Sequence, residues 1–441
     1  MPAKRTEWRE NRKATRVTLS TTGEPRDAFV RRFLANLGPG LITGAADDDP
    51  SGISTYSIAG ASLGYLPLCT ALFSFPLMSA VQLMCARLAL VTGRGLAGVI
   101  RTRYSRSVLW SACLLLVIAN VINIAADLGG MAVATRMVTG APVELCVPLY
   151  GIGIAWLLMR SSYRAIARVF KWLTLVLMAY VFSAFVVHVD WTLALQGTVV
   201  PRIEPSRRFY SVLVAILGTT ISPYLFFWQA AQEVEEERAI GRNLARRRGA
   251  TRAELQVCFT DVVAGMFASN AIMYFIIMTT AATLHAHGQY DIETAQQAAE
   301  ALRPLAGAGA YWLFTLGLIG TGMLAVPVLA SSCAYAISEA AAWRGSLDRR
   351  PQGATRFYSV LGAAMVLGIA LNYAGFDAVK LLFTTAVING VLAPPLILLV
   401  LLLTRDRRVM GDAVNPPLLN VVGWAAFIVM TLAAVGLFVT S

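Results

Sequence analysis

Charge is what this sequence has least of. Only 14% of its 441 residues are Asp, Glu, Lys or Arg, against 57% hydrophobic residues and a mean hydropathy of +0.62. A soluble domain of this length needs far more charge to cover its surface, so a water-soluble globular fold is excluded. Histidine is almost absent, with three residues. No His/Glu zinc motif or nucleophile motif occurs, which argues against a membrane enzyme or a sensing receptor. The six cysteines (69, 85, 113, 146, 258 and 333) have no paired spacing and read as packing residues rather than disulfides or thiolate ligands. Low-complexity sequence is missing apart from aliphatic runs such as 396–403, and no stretch reads as a soluble domain. There is also no short apolar signal core. The first 36 residues are Arg-rich yet carry Glu7, Glu10, Glu24 and Asp27, which excludes a transit peptide and leaves a disordered cytosolic tail.

What the chain does have is apolar runs long enough to cross a bilayer, repeated along its whole length. They predict an all-α polytopic membrane protein of about eleven helices. The spans fall at 37–64, 66–91, 108–139, 145–159, 166–188, 209–231, 256–285, 309–341, 357–374, 377–403 and 418–440. The net charge of +12 would suit nucleic acid, but its distribution says otherwise. With the N-terminus inside, 30 of the 37 basic residues fall in inside-facing segments and six outside, with Arg87 inside a span. That bias is the positive-inside signature of a multi-pass protein of the cell membrane, and it places the C-terminus outside. No nucleic-acid partner is expected.

Eleven spans divide as five, five and one: 37–188, 209–403 and 418–440. Spans one and six then occupy corresponding positions, and both carry helix-breaking chemistry. The first reads Gly44-Ala-Ala-Asp-Asp-Asp-Pro-Ser-Gly52, the sixth Gly218-Thr-Thr-Ile-Ser-Pro223. Matched broken helices predict a LeuT-type inverted repeat with one extra helix and a substrate site near the bilayer midplane. A surface loop at Asp47–Asp49 is the competing reading. The apolar stretch before it is about ten residues, too short to cross a core of ~30 Å alone, so the acids belong at depth.

Three adjacent carboxylates inside a span cost about 2.5–3.5 kcal/mol each unless something compensates them, and a cation does. Pro50 removes a backbone donor and Gly52 permits unwinding, which frees carbonyl oxygens as ligands. Three neighbours cannot all face one ion, so Asp49 is the first candidate ligand and Asp48 the second. On the sixth span Thr219, Thr220 and Ser222 supply hydroxyls, with carbonyls freed by Pro223. Taken alone, that segment reads equally as a kinked helix whose hydroxyls bond back to their own backbone. Such an oxygen set suits a hard divalent cation and repels an anionic substrate.

These residues resemble a known family, the Nramp divalent metal transporters. Leu37-Gly-Pro-Gly-Leu41 followed by Asp49-Pro-Ser-Gly52 is similar to the family's first helix, with its Asp-Pro-Gly-Asn pattern. Val91-Thr-Gly-Arg-Gly-Leu-Ala97, with Ile100-Arg101, resembles the segment after the second span. Asp127-Leu128 resembles an acidic position of the third, and Leu217–Pro223 sits where the family has a Met-Pro-His break. Asp261 and Asn270 look like the seventh-span pair, and Leu302-Arg-Pro-Leu-Ala-Gly307 resembles the loop before the eighth. The resemblance covers about residues 33–405, in order.

The resemblance implies alternating access with Asp49 as the metal-binding aspartate. It also exposes departures. Gly52 stands for an asparagine ligand, Ser222 for a methionine, Tyr224 and Gln229 for two histidines, and Gly130 for a glutamate linked to proton movement. Ala386 takes the place of a tenth-span glutamine, with Thr385 and Asn389 nearby as substitutes. The site therefore keeps its charge and loses its softness, as in the family's magnesium-transporting branch. Mg²⁺ or Mn²⁺ is expected ahead of Fe²⁺, and the lost histidines weaken the expectation of proton coupling.

Asp127, inside a span, reads as a relay or counter-ion, and Asp261 is grouped with it. His188, His285 and His287 fit ordinary wet loops, and Glu233–Glu237 fits a solvated helix end opposed by arginines. The functional expectation is a divalent-cation carrier that is not an enzyme and needs no cofactor. The alternative is an amino-acid or other organic-solute carrier of the same fold, which three buried acids oppose.

Overall fold

The computed structural model describes residues 38–160, 175–239, 249–343, 345–347 and 351–440. The expected tail at 1–36 and the first half of the fifth span lie outside these residues.

In the described residues every regular element is helical. The first span is two short helices, α1 (Pro39–Asp47) and α2 (Pro50–Leu63), and the second is α3 (Leu68–Thr92). A short helix α4 (Leu96–Arg103) precedes two long ones, α5 (Arg106–Thr139) and α6 (Val143–Arg160). The described part of the fifth span is α7 (Met178–Val186), and α8 is Trp191–Val199. The sixth span is again two pieces, α9 (Arg207–Thr220) and α10 (Pro223–Ala239), followed by α11 (Arg252–Thr283). Two short helices, α12 (Ala295–Glu300) and α13 (Arg303–Ala306), lead into α14 (Ala310–Ala340). The chain closes with α15 (Thr355–Leu371), α16 (Ala378–Arg405), α17 (Arg407–Met410) and α18 (Pro417–Val439). Nine helical segments among the described residues are long and apolar enough to cross a membrane. The broken first helix and the partly described fifth bring the bundle to the expected eleven.

Where the described residues allow comparison, span limits read from hydropathy agree with the helices to within about four residues, except that the sixth runs on past 231 to Ala239. The connection at 189–208, between the fifth and sixth spans, contains α8, started by the Asp190 carboxylate accepting from the Thr192 and Leu193 amides. Nine residues of mixed polarity give no span-length signal, and the cap alone was its mark.

Small residues let the broken helices sit against the scaffold. A Cβ on Gly40 would lie 2.6 Å from the Val262 backbone, and Gly44 faces the backbone of Gly265, so α1 lies backbone to backbone on α11. Gly218 and Gly390 do the same between α9 and α16. In lipid, where apolar side chains gain little by leaving the solvent, such close packing is what joins helices. All six cysteines are buried and unpaired, as packing residues are.

Candidate metal site at the paired helix breaks

Both discontinuities exist and both are made by the residues that predicted them. α1 stops at Asp47 because Asp48 leaves helical geometry (φ −82°, ψ 54°) and Asp49 is extended (φ −72°, ψ 170°). Pro50, which has no N–H to donate, opens α2, and the Asp49 carboxylate caps it by accepting from the Gly52 amide at 2.6 Å. In the sixth span α9 stops at Thr220, Ile221 departs to φ −118°, ψ 54°, and Pro223 opens α10. Four helix termini thus meet in the protein interior, with backbone groups that no helix satisfies.

The three aspartates lie inside the bundle: Asp47 is 0% exposed, Asp48 4% and Asp49 1%. A wet surface loop is ruled out. One serine of α11, Ser269, places its hydroxyl 2.7 Å from Asp47 Oδ2 and 3.0 Å from Asp48 Oδ1, and its single proton serves one of them at a time. The other Asp47 oxygen has no partner. Asp49 Oδ2 accepts from the Tyr224 hydroxyl at 3.2 Å, and the same hydroxyl reaches the Ala46 carbonyl at 3.1 Å. Asp127, fully buried on α5, faces the Ser51 amide and Asp49, but neither carboxylate oxygen has a hydrogen bond of ordinary geometry. Among the described residues no basic side chain offsets this charge. Arg87, the one basic residue assigned to a span interior, instead donates to the Ala413 and Val414 carbonyls. Buried, uncompensated carboxylates are what a cation site looks like when empty of protein counter-charge.

The hydroxyls of the sixth span divide. Thr220 donates to the Ile216 carbonyl of its own helix at 2.9 Å, the kinked-helix behaviour. Ser222 donates to Thr219 O at 2.6 Å, which spends its proton and leaves its lone pairs. Thr219 Oγ1 makes no hydrogen bond of ordinary geometry and stands 3.0 Å from where a Cβ on Gly52 would be, so it spans the gap between the two breaks. The Tyr56 hydroxyl faces it.

Other candidates fall into two groups. Thr385 approaches the Ser51 hydroxyl at 3.4 Å, and Asn389 is buried one turn further along α16, so both border the site. Gln229 lies further along α10, accepting from Thr43 at 2.5 Å and donating to Glu233 at 2.9 Å. Asp261 accepts from the Gly40 amide at 2.6 Å and caps the start of α1, and Asn270 ties α11 to the Ala71 carbonyl and Ser74 of α3. Asp261 thus braces the broken helix, and Asn270 joins α11 to the second span. Where the family has a glutamate, Gly130 packs against Leu382, 2.9 Å from where its Cβ would stand. His285 and His287 bond backbone carbonyls of Ala61 and Thr283. Ser269 escaped the sequence reading because a lone serine in an apolar helix gives no pattern.

Among the described residues no three His, Cys, Asp or Glu side chains stand ready to cage a metal. An ion at this gap would have to take hydroxyl, carbonyl or water oxygens beside the carboxylates, the habit of hard cations that keep part of their hydration shell.

A bundle of hydrophobic helices, two of them broken at an acidic centre, defines an integral membrane transporter fold. The family profile described as "Natural resistance-associated macrophage protein-like" matches residues 40–440, and the chain belongs to the Nramp family. It is 28% identical over 408 residues to the divalent metal cation transporter MntH of Xylella fastidiosa, covering 89% of this chain and 82% of the relative. The MntH of Bacillus subtilis is 27% identical over 406 residues, covering 89% of each. Among solved structures, the Eremococcus coleocola manganese transporter superposes with a TM-score of 0.73 at 20% identity, covering 94% of this chain and 87% of that one. The nucleobase-cation-symport-1 transporter Mhp1 gives 0.56 at 13% identity, covering 92% and 93%. These two likenesses speak to the fold alone.

Proposed function

We propose that this chain carries a divalent metal cation across the membrane by alternating access, holding the ion at Asp49 between the two helix breaks. The observation that carries this reading is a group of buried carboxylates with no basic partner among the described residues. MntH relatives named as divalent metal cation transporters support the same class. Asp48, Thr219 and Ser222 supply further oxygens, Thr220 contributes only its carbonyl, and Asp127 is a nearby counter-ion. Tyr224 holds Asp49 in place, and Thr385 and Asn389 border the pocket.

Each of the two five-span repeats, 37–188 and 209–403, then contributes one broken helix to the moving part and two spans to the fixed part. α1, α2, α9 and α10 rock against the third, fourth, eighth and ninth spans, which exposes the ion first outside and then inside. A hydroxyl where the family keeps a thioether favours Mg²⁺ or Mn²⁺ over Fe²⁺. Sidedness follows the charge bias: N-terminus in the cytoplasm, C-terminus outside. A negative interior then drives entry by about 4.6 kcal/mol per divalent ion at 100 mV.

Flux in proteoliposomes tests the reading. Mg²⁺ and Mn²⁺ uptake is expected in the native protein and should drop to the level of empty vesicles in Asp49→Ala. Unchanged uptake in that variant sinks the assignment, and uptake of an amino acid in place of metal would favour an organic-solute carrier.

A further inference from the structure

The described residues form an open concavity none of whose lining residues belongs to the helix breaks. It measures about 840 Å³ and is walled by the end of α3 (Val91, Thr92), by α4, by α17 and by the approach to α18. Four arginines line it, Arg94, Arg103, Arg407 and Arg408, against one lining carboxylate, Asp412. Arg103 is already used: it pairs with Asp406 at 2.7 Å. The Arg408 amide and then the Arg103 guanidinium hold Asp406 below the usual carboxylate range. Among the described residues Arg94, Arg407 and Arg408 have no ion pair. Several unpaired guanidinium groups around one concavity repel one another unless an anion enters, and planar guanidinium forks match phosphate oxygens.

The depth of the cavity identifies the anion's carrier. Its walls are the ends of membrane-spanning helices, Thr92 closing α3 and Ala413 four residues before α18. That is the level of lipid headgroups. Just inside it, toward the bilayer core, Leu402, Leu418 and Val421 are exposed at 41%, 75% and 65%. A basic pocket at the ends of helices that expose apolar side chains a few residues further along fits an anionic phospholipid, headgroup in the pocket and acyl chains along the helices. We propose that this cavity binds the phosphate-bearing headgroup of an anionic phospholipid. The charge bias places it in the cytoplasmic leaflet; a failure of that topology would change the leaflet but not the binding.

The site also touches the scaffold. The Gly249 amide, at the approach to α11, donates to the Val91 carbonyl at 2.9 Å on the cavity wall. A seated headgroup therefore clamps the ends of four spans together and stabilises the fold.

Full-length protein in a neutral detergent, titrated with phosphatidylglycerol, tests this by native mass spectrometry and by the unfolding temperature. Phosphatidylglycerol is expected to bind and raise the midpoint, and phosphatidylcholine to do neither. The triple variant Arg94→Gln/Arg407→Gln/Arg408→Gln should lose roughly a hundredfold in affinity, each basic side chain at an anionic surface being worth about fivefold. Arg407→Gln and Arg408→Gln alone, at exposed positions, should each lose about fivefold and cover the case in which the triple variant does not fold. Arg356→Gln, outside the cavity, should bind as the native protein does. Undiminished phosphatidylglycerol affinity in the arginine variants would overturn the site. Full protection by inorganic phosphate alone would overturn the lipid in favour of a soluble phosphate ligand.

Discussion

At the scale of single residues, Asp49 does two things with one carboxylate. It caps α2 through the Gly52 amide and accepts from Tyr224, so the helix break is built by the same group that would meet the ion. Tyr224→Phe removes one of those bonds without changing the charge, and we expect metal affinity to change by less than tenfold while Asp49→Ala abolishes flux. Isothermal titration of Mn²⁺ distinguishes the two. On the proposed reading Ser222 sets the softness of the site. Ser222→Met should improve Cd²⁺ over Mg²⁺ by about tenfold, or ~1.4 kcal/mol, in competition uptake. A selectivity that does not move would remove Ser222 from the pocket. Thr219→Ala should weaken binding where Thr220→Ala leaves it intact, since Thr220 already bonds its own helix.

Helices and their junctions carry a different kind of information. Breaks in the first and sixth spans were legible because Pro50 and Pro223 cannot sit in a helix interior without loss of a bond. Their consequence, that both gaps open on the same interior, was not, because nothing local in the chain says which helices become neighbours. Asp261 shows the difference: a buried acid at sequence level, it proves to cap α1 from 221 residues away. Asn270 likewise spends its amide on α3. The glycines act at this scale too. Gly40→Ala pushes a methyl group into the Val262 backbone, 2.6 Å away, and should lower stability by about 1–3 kcal/mol, seen as a lower unfolding temperature in detergent.

For the whole molecule, the charge bias makes a sharp statement about sidedness. Single cysteines placed next to Lys380 should label from outside, and ones next to Arg101 only after permeabilisation; the reverse pattern inverts the topology. The missing histidines bear on coupling. Gln229 sits where a titratable group would help move protons, in a chain of hydrogen bonds from Thr43 to Glu233. Metal uptake is therefore expected to be insensitive to an imposed pH gradient, and lumenal acidification during uptake, read by an entrapped dye, would restore proton coupling.

By composition and order alone the chain determined its medium, most of its spans to within a few residues, the breaks and the acidic character of the first. Each follows from a property of the local segment: apolar length, a missing N–H, a carboxylate in a hydrophobic run. Only the tertiary structure decided which polar atoms are spent and which remain. Thr220 and Thr219 are neighbours of one type, yet one is satisfied and the other faces the gap. The end of α3 and the short helices α4 and α17 gained a shared arginine pocket in the same way. Those outcomes depend on how helices pack against one another, which no stretch of sequence states by itself.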